Sequence, residues 1–422
     1  MKKILNFLIR VNKLKEIPRT GWVLRGVKNP ETIAEHTFRL AVMVWLFGEE
    51  KKLEVQKMIK EALFHDICEV YAGDIPPFFY YLQVLKSKQK KEEIFAKWVR
   101  LSQKEKIKRS KMKLKKEKQA LLKVIKGLKN EWKKEILSCF VDYVEGLSKE
   151  GRFFRQVDKI ETFLQAIEYF GPHAKLLNAW WEEIEEIVED PLLLEFIKVV
   201  EKKFYGKSKN AQRNRKVENF LDFFLKIGKI KRIPRLYWIL RKIKNPETVA
   251  GHIFTVAIMA WVFGKEKPHL SMEKLLKMAL CHEITAIETG DTTPYDRILK
   301  TKDKEKEKIL AKMIRLSEKE KKKNFWADYK KEKKTLEKIT KNLDNETKKE
   351  IINLWEDYRK KESSEGIFLS QLNTVAVLFQ GVLYKKKIKN FSTSPLWEWA
   401  FESVSDPLIL KFLDALKEYE KN

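Results

Sequence analysis

Apolar residues recur at three- and four-residue intervals along nearly the whole chain, and strand-like alternation is rare, which predicts an all-α protein. In the first half, a stripe through Leu53, Met58, Ile59, Ala62 and Leu63 runs into the sequence HDICEVYAGDIPP. His65 and Asp66 therefore sit side by side at the end of an apolar helix. Glu69 follows one turn later on a similar face, and Gly73 breaks the helix and presents Asp74 from a loop. Upstream, His36 opens the apolar helix AEHTFRLAVMVWLFG, with Leu40, Met43, Val44 and Phe47 on its packing face. Downstream, Leu121, Ile125, Leu128, Trp132 and Ile136 resume a helical stripe, and the last helices of this half span residues 150–169 and 176–200.

The pattern then repeats. EIPRTGWVLRGVKNPETIAEHTF from Glu16 is matched by RIPRLYWILRKIKNPETVAGHIF from Arg232, an offset of 216 residues from Pro18 to Pro234. ALFHDICEVYAGDIPP recurs as ALCHEITAIETGDTTP, AKWVRLSQKEK as AKMIRLSEKEK, and EDPLLLEFI as SDPLILKFL. A period this long marks two tandem globular domains rather than a solenoid, and 422 residues suit that number. The expected boundaries are 1–206 and 217–422, joined by a polar, basic linker at 207–216. The opening sequence MKKILNFLIRVNKLKE superficially resembles a short signal sequence, but Arg10 interrupts its apolar run. Its counterpart VENFLDFFLKIGKIKR from Val217 places it in the fold. No apolar stretch approaches the roughly 20 residues of a membrane span, so no membrane partner is expected. Three cysteines without CxxC spacing suit a reducing compartment, and the chain is expected in the cytoplasm.

Charge adds a second feature. Lys plus Arg number 88 against 60 Asp plus Glu, a net +28. Residues 86–118 alone carry 15 Lys/Arg against 4 Glu, with a counterpart at 300–334. Such a balance favours an acidic partner: a phosphorylated substrate, nucleic acid or a membrane surface. The arm is expected to be a helix outside the core, pinned by Ile94, Trp98 and Leu101 with its lysines in water. A solvated helical face with Glu/Lys pairs is the commoner origin of such a run, and no RNP, KH or zinc-knuckle pattern accompanies it.

A protein-bound metal needs ligands converging from several elements, as neutral imidazoles and ionised carboxylates. His36, His65, Asp66 and Asp158 would supply such a set. Asp158 stands in GRFFRQVDKIETFLQAIEYF among Phe154, Val157, Phe163 and Leu164, where an unpaired carboxylate would be costly to bury. The alternatives are a buried histidine with a helix-end aspartate, and an ion pair of Asp158 with a local Lys or Arg. Mixed nitrogen and oxygen ligation suits Mn, Co, Fe or Zn better than Mg. His173 and His269 have no place in this set and are expected at the surface.

Residues 14–172, all but the basic arm, resemble the HD-domain phosphohydrolases and within them the HD-domain 5′-deoxynucleotidase group. The resemblance is carried by IPRTGWVLRGVKNPETIAEH, HDICEVYAGDIPP and SKEGRFFRQVDKIETFLQAIEY. It implies an all-α HD fold, divalent-metal ligands at His36, His65, Asp66 and Asp158, catalytic carboxylates at Glu69 and Asp74, and a phosphate-binding Arg19. It also implies hydrolysis of nucleoside 5′-monophosphates, especially deoxy forms, to nucleoside and phosphate, and family members commonly dimerise. Glu69 would orient or deprotonate water and Asp74 would protonate the leaving 5′-oxygen, or the two roles would be exchanged. The competing readings are an HD enzyme for another phosphate ester and a nucleic-acid-binding protein on an HD scaffold.

The second copy keeps His252, His282, Arg235 and Asp291 but replaces Asp66 by Glu283, Glu69 by Ala286 and Asp158 by Asn373. An amide brings no charge to a cation, and alanine handles no proton. The apolar frame persists at Trp261, Phe263, Leu276 and Met278. The second copy is therefore expected to be a degenerate HD-like domain and the packing half of an intramolecular pseudo-dimer, in a chain that is a monomer or a homodimer.

Overall fold

The computed structural model describes residues 1–76, 103–206, 214–293, 295, 309–310 and 312–422. Among them the only β-structure is a pair of isolated bridges, and helices account for nearly all else, as the 3.6-residue pattern requires. In chain order the first eleven helices are α1 (Lys2–Asn12), α2 (Thr20–Leu24), α3 (Ile33–Lys51), α4 (Val55–Phe64), α5 (Glu69–Ala72), α6 (Gln103–Val124), α7 (Asn130–Glu145), α8 (Lys149–Phe170), α9 (Asn178–Ile187), α10 (Pro191–Tyr205) and α11 (Arg215–Gly228). The rest are α12 (Leu236–Leu240), α13 (Val249–Gly264), α14 (Met272–Cys281), α15 (Ala286–Thr289), α16 (Glu318–Thr340), α17 (Asn345–Lys360), α18 (Ser364–Lys387), α19 (Ser394–Ser403) and α20 (Pro407–Lys421).

The compact units are not those the repeat suggests. One comprises residues 10–225, the other residues 1–9 with 226–422, so the division falls inside α1 and α11 rather than at 206 and 217. The apolar stripes of these two helices explain it. Phe220 and Phe224 of α11 pack edge-on against Phe47 in the unit of the first copy, and Phe7 of α1 packs against Trp261 in the unit of the second. Most of the expected linker, 207–213, lies outside the described residues.

In the first unit, α3 is buried on every side from Ile33 to Gly48 and packs on α4 and α8. Its start is fixed by a capping box: Thr32 accepts from the Glu35 backbone and Glu35 accepts from that of Thr32. A bridge between Pro18 and Thr32 then places Arg19 beside this helix start, with Arg19 N donating to Glu31 O at 2.9 Å. Trp22 Nε1 donates to Glu31 Oε1 at 3.0 Å, and Glu31 N to the Tyr169 hydroxyl at 2.7 Å. The start of α8 is held as firmly. Asp142 accepts from Ser148 N, and Ser148 Oγ caps Gly151 N at 3.0 Å. Gly151 is required, since a Cβ there would stand 2.3 Å from Asp142 Oδ1.

The second unit repeats these devices except the reciprocal half of the capping box, since Gly251 stands where Glu35 does. Thr248 caps α13, Trp238 Nε1 donates to Glu247, Glu247 N donates to Tyr384, and Asp357, Ser363 and Gly366 reproduce the start of α8 at α18. Helix α18 corrects one expectation. At 24 residues it is long and apolar enough to cross a membrane, although 78% of its apolar window is buried inside the protein, as in a core helix.

Of the basic arm, Ile94, Trp98 and Leu101 lie outside the described residues; residues 111–118 of α6 are exposed or half-buried, and beyond them Ala120, Leu121 and Val124 join the core while α6 packs on α5.

On α4, Glu61 is completely buried 3.8 Å from Lys57, and burial, reinforced by Asp142, pushes its carboxyl from 4.5 up to about 9. The folded chain then keeps a proton that the unfolded chain releases above its ordinary carboxylate pKa, so this group opposes folding increasingly as pH rises. Glu61→Gln should raise the thermal midpoint by a few degrees at pH 8, with the gain fading as pH falls toward the ordinary glutamate range. A lowered midpoint at pH 8 would mean that Glu61 is ionised and held by Lys57.

Candidate metal centre

Five segments converge at one end of α4: the Arg19 turn, the start of α3, the α4–α5 turn, α6 and the middle of α8. His65 follows the last residue of α4. Its Nδ1 donates to Ala62 O at 2.8 Å, leaving the Nε2 lone pair facing inward. His36, with no exposed surface, lies one ring away at 5.6 Å between centroids. One ligand atom from each of His36, His65 and Asp66 falls within 4.8 Å of the others. Asp158 on α8 completes the set, with Oδ1 3.1 Å from His36 Nε2.

Neither His36 Nε2, His65 Nε2 nor Asp158 Oδ1 makes a hydrogen bond, although all three are buried. Buried polar atoms left in that state are what a cation would satisfy, and two imidazoles with two carboxylates fit a divalent ion. Electrostatics agree. Burial acts to raise Asp66 and Asp158, yet His65 and Arg19 around the first and His36 and Lys159 around the second hold both well below the usual carboxylate range. Burial and the charge of Arg19 oppose protonation of His36, but Glu161 and Asp158 outweigh them and raise it to about 9 in the metal-free chain.

The remaining expected residues are also here. Arg19 Nη1 stands 3.1 Å from Asp66 Oδ2, and Nη2 reaches Thr162 Oγ1 at 3.4 Å. Glu69 is buried, and desolvation together with the charges of Asp66 and Asp74 pushes its carboxyl well above its ordinary value. Asp74 accepts from Thr20 N at 2.6 Å, so it anchors the Arg19 turn as well as facing the pocket. The pocket is lined by Arg19, Asp66, Glu69, Asp74, Lys113 and Asp158, with a wall of Trp22 and Trp180 stacked at 5.4 Å. His173 and His269 are exposed, as expected.

Lys113 was not legible as a site residue. It stands in the basic arm among a dozen other cations, and only folding shows that this one lines the pocket. Its side chain is half exposed with Nζ 3.4 Å from Glu117, and the charges of Glu117, Glu69 and Asp66 outweigh desolvation and hold its ammonium above the ordinary lysine range.

The second copy assembles a different centre. His252, His282 and Glu283 still bring ligand atoms within 4.8 Å, and His282 Nδ1 donates to Ala279 O at 2.7 Å. However, His252 Nε2 meets Asn373 Oδ1 at 2.6 Å, and Asn373 Nδ2 donates to the Tyr358 hydroxyl at 2.7 Å. Arg235 sits between Glu283 and Asp291, at 3.3 and 3.0 Å. Asp328 stands where the first copy has Lys113.

The HD domain family matches residues 11–197, 227–334 and 326–396 of the chain. Among similar proteins, the 5′-deoxynucleotidase HDDC2 of Xenopus laevis is 33% identical over 168 residues, covering 40% of this chain and 70% of that protein. The human protein of the same name is 31% identical over 168 residues, covering 40% and 69%. The 5′-deoxynucleotidase hdd1 of Schizosaccharomyces pombe is 28% identical over 193 residues, covering 45% and 84%. The chain therefore belongs to the HD-domain family and, within it, to the group of 5′-deoxynucleotidases.

The ligand set leads to a binding test. Titration with Co²⁺ should show tight uptake by the wild-type chain and a loss of at least tenfold in affinity for Asp158→Ala, which removes a charged ligand. Unchanged affinity in that variant would place the ion elsewhere.

Proposed function

We propose that the chain is a metal-dependent phosphohydrolase that converts 2′-deoxynucleoside 5′-monophosphates to nucleoside and phosphate at the centre of its first copy. The observation that carries this reading is the convergence of two inward-facing imidazole nitrogens with Asp66 and Asp158, directly beside the Arg19 guanidinium. His36, His65, Asp66 and Asp158 would hold the ion, with Mn, Co, Fe or Zn suiting the donors better than Mg. When bound, such an ion supplies a Lewis acid and lowers the pKa of its water toward about 7.

The protein's own groups account for the rest. Arg19 offers a planar fork to the phosphate oxygens, and Lys113, also on the pocket lining, adds a point charge. In the reaction the bond between phosphorus and the 5′-oxygen breaks and a bond to the water oxygen forms. The water's proton must leave, and the 5′-oxygen must gain one. Glu69 on the pocket wall is placed to take the water's proton as a carboxylate, and Asp74 on the same pocket to supply the second, or the two exchange these roles. The Trp22 and Trp180 wall excludes water from one side and offers an apolar surface toward the nucleoside.

The second copy, in this reading, performs no hydrolysis and serves as the structural half of a pseudo-dimer. Its Ala286 and Asn373 lack the groups that Glu69 and Asp158 provide, while the Thr248 and Ser363 caps and the apolar helices remain.

A screen of the intact chain against ribo- and deoxynucleoside mono- and triphosphates, each with Mn²⁺, Co²⁺, Zn²⁺ or Mg²⁺, should release phosphate most rapidly from a deoxynucleoside monophosphate with Mn²⁺ or Co²⁺. Release from triphosphates alone would overturn the substrate class. Glu69→Gln should lower kcat by roughly 10²–10⁴-fold while leaving Co²⁺ affinity intact; equal loss of both would make Glu69 a ligand. Lys113→Ala should raise KM several-fold with a smaller change in kcat, and an unaltered KM would remove it from the phosphate site.

A further inference from the structure

Behind the centre, on the face of His36 away from the pocket, lies a cluster of charges that the proposed chemistry does not use. His36 Nδ1 contacts Glu161 Oε2, and both side chains are fully buried. The other carboxylate oxygen, Oε1, accepts from Arg39 Nε at 2.7 Å. Arg39 is also fully buried and is held by three further contacts: Nη1 to Glu168 at 2.8 Å, and Nη2 to Gln165 Oε1 at 3.1 Å and to Glu161 O at 3.3 Å. Glu31, His36 and Glu161 bring their ligand atoms within 4.8 Å of one another, but Arg39 already supplies the cation beside Glu161, so this cluster is a clamp and not a second metal site.

We infer that Glu161, locked in place by Arg39, is a positioning residue that fixes the ring of His36 so that Nε2 is presented to a divalent ion; this rests on His36 being a metal ligand. The reasoning is one of donors and acceptors. A carboxylate only accepts, so the ring nitrogen facing Glu161 keeps its hydrogen, and Nε2, beside His65 and Asp158, is the nitrogen that would exchange its proton for a divalent ion. The Glu161 charge also makes the ring more basic, and such outer partners typically strengthen metal binding 10–100-fold. Without Arg39, a buried glutamate would be costly to keep ionised, which is why the clamp needs both residues.

The second copy supplies an internal control. Ala376 stands where Glu161 does and Thr255 where Arg39 does, so both members of the charge pair are missing together. There, Thr255 turns its hydroxyl back to Gly251 O, and His252 directs Nε2 at Asn373 Oδ1 while its Nδ1 lies 4.0 Å from Glu247. The ring is therefore held by a different set of contacts, and it spends on an amide the nitrogen that His36 directs toward the centre. Loss of the clamp thus separates the copies as firmly as loss of Asp158, although none of its residues belongs to the H, HD, D ligand pattern.

The test is titration of the full-length protein with Co²⁺ alone, reading stoichiometry, dissociation constant and the visible absorption of the bound ion. Glu161→Gln keeps the shape but removes the charge. Arg39→Lys touches no ligand atom and breaks only the fork. Both should retain one strong site per chain, with affinity about 10–100-fold weaker for Glu161→Gln, a smaller loss for Arg39→Lys, and an altered Co²⁺ spectrum in each. A purely structural role would instead lower the number of sites in proportion to the unfolded fraction while the remaining sites kept the wild-type constant. That pattern, or wild-type affinity and spectrum in folded Glu161→Gln, would overturn the inference. If Glu161→Gln does not fold, Arg39→Lys decides by the same readings. Failure of the wild-type chain to bind Co²⁺ would refute the metal reading of His36 itself, a result distinct from failure of the clamp.

Discussion

Burying carboxylates is the constraint on which the first unit depends. Asp66, Glu69 and Asp158 all lie below the surface of one pocket, and isolated ionised groups there would be prohibitively costly. The chain meets this cost in three ways. Arg19 lies beside Asp66, Lys159 approaches Asp158 at 3.9 Å, and the charge of Lys113, on the same pocket lining, acts on Glu69. Glu69, the member with least compensation, is pushed toward its neutral form. The remaining demand for positive charge falls between two imidazole nitrogens that make no hydrogen bond, where a divalent ion fits chemically.

The second unit shows the same scaffold after that demand has been relaxed. The buried Trp–Glu–Tyr connection and the Asp–Ser–Gly helix start persist, because they satisfy backbone groups and fix helix directions whether or not a reaction occurs. Charges at the centre were removed in compensating sets. Asn373 stands in place of an anion, Ala376 and Thr255 in place of a buried charge pair, and where Ala286 stands for Glu69, Asp328 stands for Lys113. Removing one member of a buried pair alone is far more destabilising than removing both, so the paired differences are compatible with an intact fold.

Much of this was readable in the chain itself. Helical periodicity gave the fold class because all-round apolar helices such as α3 and α13 admit few alternatives. His36, His65, Asp66, Glu69, Asp74, Asp158 and Arg19 were all selected as residues, and the structure brings them to one pocket or its ligand cluster. Three features escaped. Lys113 was hidden in a run of lysines, where composition cannot distinguish the one that faces inward. Glu161 and Arg39 are separated by 122 residues and read individually as ordinary helix charges. The unit boundaries escaped because α1 and α11 carry equivalent apolar stripes, and sequence periodicity states which face is buried without stating against what.

The proposal that one centre, in the first copy, performs all the hydrolysis rests on the groups that the second copy lacks. It is tested most directly by phosphate release from a deoxynucleoside 5′-monophosphate with Mn²⁺, comparing Asp66→Ala and His282→Ala in the full-length chain. Asp66→Ala should abolish release and His282→Ala should leave it close to wild type. Residual turnover in Asp66→Ala that disappears when His282→Ala is added would contradict the account and establish a second working site.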